Sequence, residues 1–278
     1  MAKFDLHLHS NNSDGSASVH ELVEEVKKNG IKIFALTDHD TVAGIKETER
    51  LITDEIQFIK GVELTCKAKD VKCHILGYNI DADNKDLKKL IDLGKKLRKQ
   101  KLETRIKYLK NVWNIELSQE ELNWLYSRQS VVKTHLANIL VNRGLANNNI
   151  EAMKKYLDEC ETGNTKFDGE IAIQTIDKAG GTPIWAHPLG GEGEKHLSEE
   201  EFLPNLETMI NCGIKGLECY YSRYTQKEAE FLVHIAKQYN LLITGGSDWH
   251  GTNKDIPIGL LSADGLDIDS SLISVNKM

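Results

Sequence analysis

Near the start of the chain, two histidines stand two residues apart in the run Asp5-Leu6-His7-Leu8-His9-Ser10. If that run is a strand, the spacing puts both imidazoles on one face. Similar groups recur downstream: Ser13-Asp14-Gly15, Thr37-Asp38-His39-Asp40, Gly61-Val62-Glu63, His74, Ala186-His187-Pro188 and Gly246-Ser247-Asp248-Trp249-His250. Imidazoles mixed with carboxylates suit Mn, Fe or Zn better than Mg or Ca, which prefer oxygen shells. Two such ions about 4 Å apart lower the pKa of a water held between them. They also neutralise the oxygens of a phosphoryl group as charge shifts in the transition state. Metal-assisted hydrolysis, attack at phosphorus included, is within the chemical reach of these residues.

The elements around them place these groups at one end of a sheet. Phe4–His9, Ile31–Thr37, Ile56–Cys66, Val71–Asn79, Thr182–Ala186, Gly216–Tyr220 and Leu241–Gly246 read as strands, separated for the most part by amphipathic segments. Val19–Asn29, Thr41–Thr53, Gly169–Ala179, Glu199–Asn211 and Gln226–Tyr239 read as helices. Alternation of this kind predicts a mainly parallel sheet, and the number of repeats suits a barrel. Barrel enzymes carry their active sites at the C-terminal ends of the strands. Six segments bring a His, Asp or Glu to such an end, and independent surface residues would not all choose it. From about 84 the texture changes to helical spacing, and no strand pattern appears between about 81 and 181. The segment 95–164 is expected to form an inserted helical subdomain, leaving 1–94 and 165–278 as a discontinuous catalytic domain.

Composition narrows the classes. The 278 residues carry 35 Lys and Arg against 42 Asp and Glu, a net charge of −7. That balance argues against coating a nucleic-acid duplex by charge alone. No apolar run is long enough for a membrane span, and Met1 to His7 lacks the apolar stretch of a signal peptide. Five cysteines (Cys66, Cys73, Cys160, Cys212, Cys219) with no C-x-x-C spacing read as reduced thiols, which points to the cytoplasm. Cys73 adjoins His74, but strand neighbours point to opposite faces, so a buried thiol is expected there.

The motifs, in this order from residue 5 to about 260, resemble the polymerase and histidinol phosphatase (PHP) superfamily. The resemblance implies a distorted seven-stranded β/α barrel, TIM-like, with a cluster of two or three divalent ions (Mn, Fe or Zn) at its mouth. It implies nine ligands: His7, His9, Asp14, His39, Glu63, His74, His187, Asp248 and His250. His7, His9 and Asp248 would hold one ion. Glu63 would bridge to a second, held by His74 and His187. Asp14, His39 and His250 would hold the third. His7, His9, Glu63 and Asp248 would thus frame the hydroxide that attacks phosphorus. Asp38 is expected to orient a ligand or pack at the strand end.

Within the superfamily the chain is most similar to stand-alone phosphoesterases acting on nucleoside 3',5'-bisphosphates and on oligonucleotide 5' ends. The expected partner is a small phosphorylated substrate, with neither an extended duplex nor a membrane. Phosphate also needs cations. Relatives carry an Arg after the His-Pro motif, where this chain has a Gly-rich loop with Lys195 and His196. They carry Arg-x-His in the insertion, where this chain has Lys133-Thr134-His135; Arg223 is a further candidate. The run Lys95–Lys110 reads as a solvated helix face or a strand anchor. His20 and His234 read as structural. The rival readings are a histidinol-phosphate phosphatase, an amidohydrolase and a non-catalytic metal- or nucleotide-binding module. The insertion speaks against the first, the lack of a strand-end Lys against the second, and the complete ligand set against the third.

Overall fold

The computed structural model describes residues 3–163 and 166–274. Seven strands, β1 (Lys3–Leu8), β2 (Ile31–Leu36), β3 (Gln57–Ala68), β4 (Val71–Tyr78), β6 (Thr182–Ala186), β7 (Gly216–Tyr221) and β8 (Leu242–Gly246), follow one another around a single sheet in that order. A two-residue strand, β5 (Phe167–Asp168), lies beside β3 off this path, inside the stretch expected to hold no strand; two residues are too few to show alternation in the sequence. The sheet nearly closes on itself. Where β1 and β8 end, the His9 N–H donates to the Trp249 carbonyl at 3.0 Å and the Asp248 N–H to the His7 carbonyl at 2.9 Å. The result is the distorted seven-stranded barrel expected from the sequence.

One strand runs against the others. β4 is antiparallel to both β3 and β6, whereas the remaining pairs along the path are parallel. The connection from Ala68 to Val71 is too short for the crossover that a parallel pair requires, so it can only be a hairpin. Lys69 takes φ 53° within it. His74 therefore reaches the barrel mouth from the first half of its strand, paired with Thr65 and Ala186. Of the helices, α1 (Val19–Lys28) begins with a reciprocal cap between Ser18 and Glu21. The next helix, α2, spans only Ile45–Leu51, against Thr41–Thr53 expected from the pattern. The Thr41 Oγ1 accepts from the Ala43 N–H at 3.3 Å, a local turn that stands in place of the first helical turn, and the helix begins after Gly44.

Apolar residues divide into three clusters. The largest fills the barrel and the space beneath α7 (Gly169–Lys178), α8 (Glu199–Asn211) and α9 (Gln226–Gln238). A second packs α1 on β2 through Leu22, Val26 and Phe34. The third belongs to the helical segment. There α3 (Lys85–Trp113) meets α4 (Gln119–Tyr126), α5 (Lys133–Asn142) and α6 (Asn149–Tyr156) through Leu102, Leu109, Leu125, Leu140 and Ala152. α3 serves two cores, because Leu87, Leu90 and Ile91 of its first half lie in the barrel cluster. Gly94 permits the close approach between them: a Cβ there would stand 2.5 Å from the Phe167 ring. The expected junction at 164–165 lies outside the described residues. The helical segment touches the barrel mouth, where the Ser130 N–H donates to the Asn12 carbonyl at 3.2 Å. Among the described residues, no helix is long and apolar enough to cross a membrane.

Candidate metal centre

Glu63 lies at the centre of the mouth, 1 % exposed. Its Oε2 is 3.3 Å from Nε2 of His7, 3.3 Å from Nε2 of His9 and 2.9 Å from Nδ1 of His39. Its Oε1 is 3.0 Å from Nδ1 of His74 and 3.3 Å from Nε2 of His187. To one side, Asp14 Oδ1 is 3.1 Å from Nε2 of His250, and Asp14 Oδ2 is 3.8 Å from Nε2 of His39. Asp248 Oδ1 stands 3.3 Å from Nε2 of His9 and 3.4 Å from Nδ1 of His250. All nine residues expected as ligands are therefore brought together. The packing links them more densely than three separate triads: His9 faces both Glu63 and the Asp14 side, and His39 faces both Asp14 and Glu63.

The backbone turns sharply where it delivers these side chains. His187 has φ 29° and Asp248 φ 59°, in the left-handed region that non-glycine residues adopt at a cost. Gly246 lets β8 press against β1, since a Cβ there would stand 2.2 Å from the Cβ of His7.

Buried polar atoms are normally paired. Here His7 Nε2, His9 Nε2, Asp14 Oδ1, His39 Nδ1, Glu63 Oε2, His74 Nδ1 and His250 Nε2 are buried without a hydrogen-bond partner, among the described residues. Each is the atom that faces the shared space, and each is a type that donates electron pairs to divalent ions. The donor set thus fits a cluster of cations. Charge agrees with this. Burial works to raise the carboxyl of Glu63, but His39, His7 and His74 outweigh it and hold the group well below its ordinary range. Burial is likewise outweighed at Asp14 by His250 and His39, and at Asp248 by Lys254, His250 and His7, and both are held well down. All three carboxylates are ionised, as ligation requires. Burial, with His250 beside it, pushes the His9 imidazole down to about 4, which keeps it neutral.

A second ring of residues orients the first, and the sequence reading missed most of it. Glu218, fully buried on β7, accepts from Nδ1 of His7 at 2.9 Å and from the His187 N–H at 2.8 Å. The signal was a charged residue within the apolar run Gly216-Leu-Glu-Cys-Tyr-Tyr221, which must be paired wherever it is buried. Lys254 Nζ donates to Asp248 Oδ2 at 2.7 Å, and the Tyr221 hydroxyl to the same oxygen at 3.0 Å. Asp38 accepts from Ser10 N at 2.8 Å, Ser10 Oγ at 2.6 Å and Ser13 Oγ at 2.6 Å, so it fixes the loop that carries Asp14. Asp5 does the same for the last strand end, accepting from Ser247 Oγ at 2.6 Å and Gly259 N at 2.8 Å. Cys73 points away from the centre into the core, and burial pushes its thiol up to about 12.

Most of the residues expected to hold phosphate are paired with carboxylates. Lys133 pairs with Asp158 at 2.5 Å, Lys195 with Glu201, His196 with Glu228 at 2.6 Å, and Arg223 with Glu192. His135 is buried beside Trp124, its Nδ1 accepting from the Val132 N–H at 3.0 Å, and burial pushes it down to about 4. A cavity of about 500 Å³ opens beside His74 and His187, walled by Cys73, Trp185, Glu194 and Lys195. That volume suits a small organic ligand.

Comparison with known proteins agrees with this architecture. Residues 5–173 match the model of the PHP domain, more than half of the chain. The chain belongs to the PHP domain family. A PHP relative from Haemophilus influenzae, a 5'-3' exoribonuclease, is 32 % identical over 280 residues, covering 98 % of this chain and 97 % of its own. Another, the phosphoribosyl 1,2-cyclic phosphate 1,2-diphosphodiesterase of Eggerthella lenta, is 25 % identical and covers 91 % of this chain and 96 % of its own. Among solved structures, a chain from Bifidobacterium adolescentis described as a metal-dependent phosphoesterase superposes with a TM-score of 0.81 at 26 % identity. It covers 95 % of this chain and 94 % of its own.

Proposed function

We propose that this PHP protein is a metal-dependent phosphoesterase that hydrolyses a phosphate monoester at a nucleotide or oligonucleotide end. The observation that carries the reading is the convergence of seven unpartnered, buried donor atoms, Glu63 Oε2 among them. His7, His9, Asp14, His39, Glu63, His74, His187, Asp248 and His250 would hold two or three divalent ions of the Mn, Fe or Zn type. Such ions lower the pKa of a bound water and neutralise phosphoryl oxygens.

The chain's own residues do the positioning. Glu218 fixes the ring of His7 so that Nε2 faces the shared space. Lys254 and Tyr221 take one oxygen of Asp248 and leave the other facing His9. The hairpin and the loop after His187 wall a cavity large enough for a nucleoside. The chain is therefore a hydrolase of phosphoric esters whose relatives along its full length act on RNA ends and phosphodiesters, as their names state. A histidinol-phosphate phosphatase is not favoured by those likenesses. An amidohydrolase is not favoured by the centre, where a glutamate rather than a lysine stands between the donor sets. Five free, buried cysteines support a reducing compartment, the cytoplasm.

Chelation followed by add-back tests the reading. Protein stripped of metal should release no phosphate from a 5'-phosphorylated dinucleotide, and Mn, Fe or Zn should restore release in step with bound metal. His7→Asn and Asp248→Asn should lose both metal and turnover. Full turnover by metal-free protein would overturn it.

A further inference from the structure

Three cations lie on the packed face of α3, where apolar residues are expected. Arg98, Lys101 and Arg105 follow at helical spacing among the buried residues Gly94, Leu102 and Leu109, and all three are half-buried. The other basic residues of the run, Lys95, Lys96, Lys99, Lys107 and Lys110, face solvent. A cation is placed on a packed face at a cost unless an anion meets it. Arg98 is met: it binds Asp40 at 2.5 Å and donates to Thr65 Oγ1 at 3.1 Å.

Among the described residues, Lys101 and Arg105 have no carboxylate at ion-pair distance, and the buried Nε of Arg105 has no hydrogen-bond partner. The carboxylate nearest in charge to Arg105, Asp158, is already held by Lys133. The Nε of Arg128 is likewise buried and unpartnered, and its guanidinium lies 5.2 Å over the ring of Trp124, which is 37 % exposed. Lys166 adds its charge beside Lys101. This group starts at the candidate metal centre. Arg98 is bonded to the residue next to His39 and to the strand partner of His74, and Arg98 and Arg128 both flank His135. It then leads away along α3, where seven residues of helix carry Arg105 about 10 Å beyond Arg98.

We infer that Arg98, Lys101, Arg105, Arg128 and Lys166 form a lane for the backbone phosphates of a single strand whose end lies at the metal centre, with Trp124 as a stacking surface for a base. The inference rests on the phosphoesterase reading and names its substrate class: an oligonucleotide rather than a mononucleotide. The shared chemistry is a second phosphate beyond the scissile one. A nucleoside bisphosphate holds its two phosphates across one ribose and reaches only the inner end, so the outer cations serve longer strands. Of the five, Lys101 and Arg105 have no carboxylate at ion-pair distance among the described residues, and cations beside an aromatic surface are the usual composition of such grooves.

Binding without turnover tests the lane. In chelator, 5'-phosphorylated RNAs of two, four and six nucleotides carrying a 3' fluorophore are titrated with protein and followed by anisotropy. A nucleoside 3',5'-bisphosphate serves as competitor. Affinity should rise with length. Lys101→Gln with Arg105→Gln should abolish that rise, with about a 10-fold loss for the hexanucleotide. It should also lower the salt slope by about 1.4, from about 0.7 per phosphate contact on a single strand. Lys107→Gln, on the solvent face of the same helix, should keep the rise. Arg128→Gln, checked with the double variant for unchanged thermal melting, gives an independent reading of the lane. Equal affinity at all lengths, an equal loss for bisphosphate and hexanucleotide, or the same loss in Lys107→Gln would overturn the lane. Because binding is read without metal, length-dependent binding without phosphate release would sink the reaction and leave the lane. Release without length dependence would do the reverse.

Discussion

The carboxylate of Glu218 accepts from Nδ1 of His7 at 2.9 Å, and so fixes which imidazole nitrogen faces Glu63. Partners of this kind typically tune a metal site by about 10- to 100-fold in affinity. Glu218→Gln should fold and retain the barrel, but lose metal to a competing chelator at about 10- to 100-fold lower chelator concentration. A variant that holds metal as tightly as the natural chain would show that His7 needs no such partner.

Lys254 has the same relation to Asp248, whose Oδ2 it holds at 2.7 Å. Lys254→Met leaves that oxygen to Tyr221 alone and should weaken metal retention, while Lys254→Arg should recover part of it. Metal content after dialysis, read by elemental analysis, checks this. Equal content in all three proteins would refute it.

Gly246 is a matter of space. A methyl group there would meet the His7 Cβ at 2.2 Å and its backbone N at 2.6 Å, and backbone cannot swing aside. Gly246→Ala should cost about 1–3 kcal/mol or more in urea denaturation, and should weaken metal binding with it. A neutral result would mean that β1 and β8 can part without harm.

Lys101 sets a pH dependence away from the centre. Burial, with Arg98, Lys166 and Arg105 alongside, lowers its ammonium to about 8 from an ordinary 10.5. Below pH 8 the folded and unfolded chains both carry the proton, and the folded state bears the full cost. Between pH 8 and 10.5 the unfolded chain binds more protons, so this group makes stability rise with pH. Lys101→Met should remove that rise. It should also be more stable at pH 7 by about 1–2 kcal/mol, a figure reduced from the full shift because the side chain is part-exposed. Denaturation curves at pH 7 and 9.5 decide it, and a less stable Lys101→Met would contradict it.

How much the sequence discloses depends on what each residue answers to. The candidate ligands were legible because His, Asp and Glu at the ends of apolar runs have few other reasons to be there. Glu218 was hidden mid-strand, its role set by a partner 211 positions away in the chain. The reversed direction of β4 followed from a turn too short to cross, which the strand pattern alone does not weigh. α2 starts at Ile45 rather than Thr41 because Thr41 takes up a side-chain turn with Ala43, a choice that apolar spacing does not reveal. The phosphate candidates rest on positions where relatives carry Arg, and on a strand end for Arg223; in the folded chain four of the five have carboxylate partners. The cations on α3 were in view as a charge run, but periodicity does not say which of them an interface will leave uncompensated.

The central claim is phosphate-ester hydrolysis at a nucleotide end by the cluster around Glu63. Its most direct test is phosphate release by Mn-loaded protein from a small panel, with His7→Asn as the blank. The panel holds a nucleoside 3',5'-bisphosphate, a 5'-phosphorylated dinucleotide, histidinol phosphate and a simple sugar phosphate. Rapid release from the dinucleotide or the bisphosphate, absent from the blank, is the expected result. Release confined to histidinol phosphate, or silence across the panel with metal bound, would contradict it.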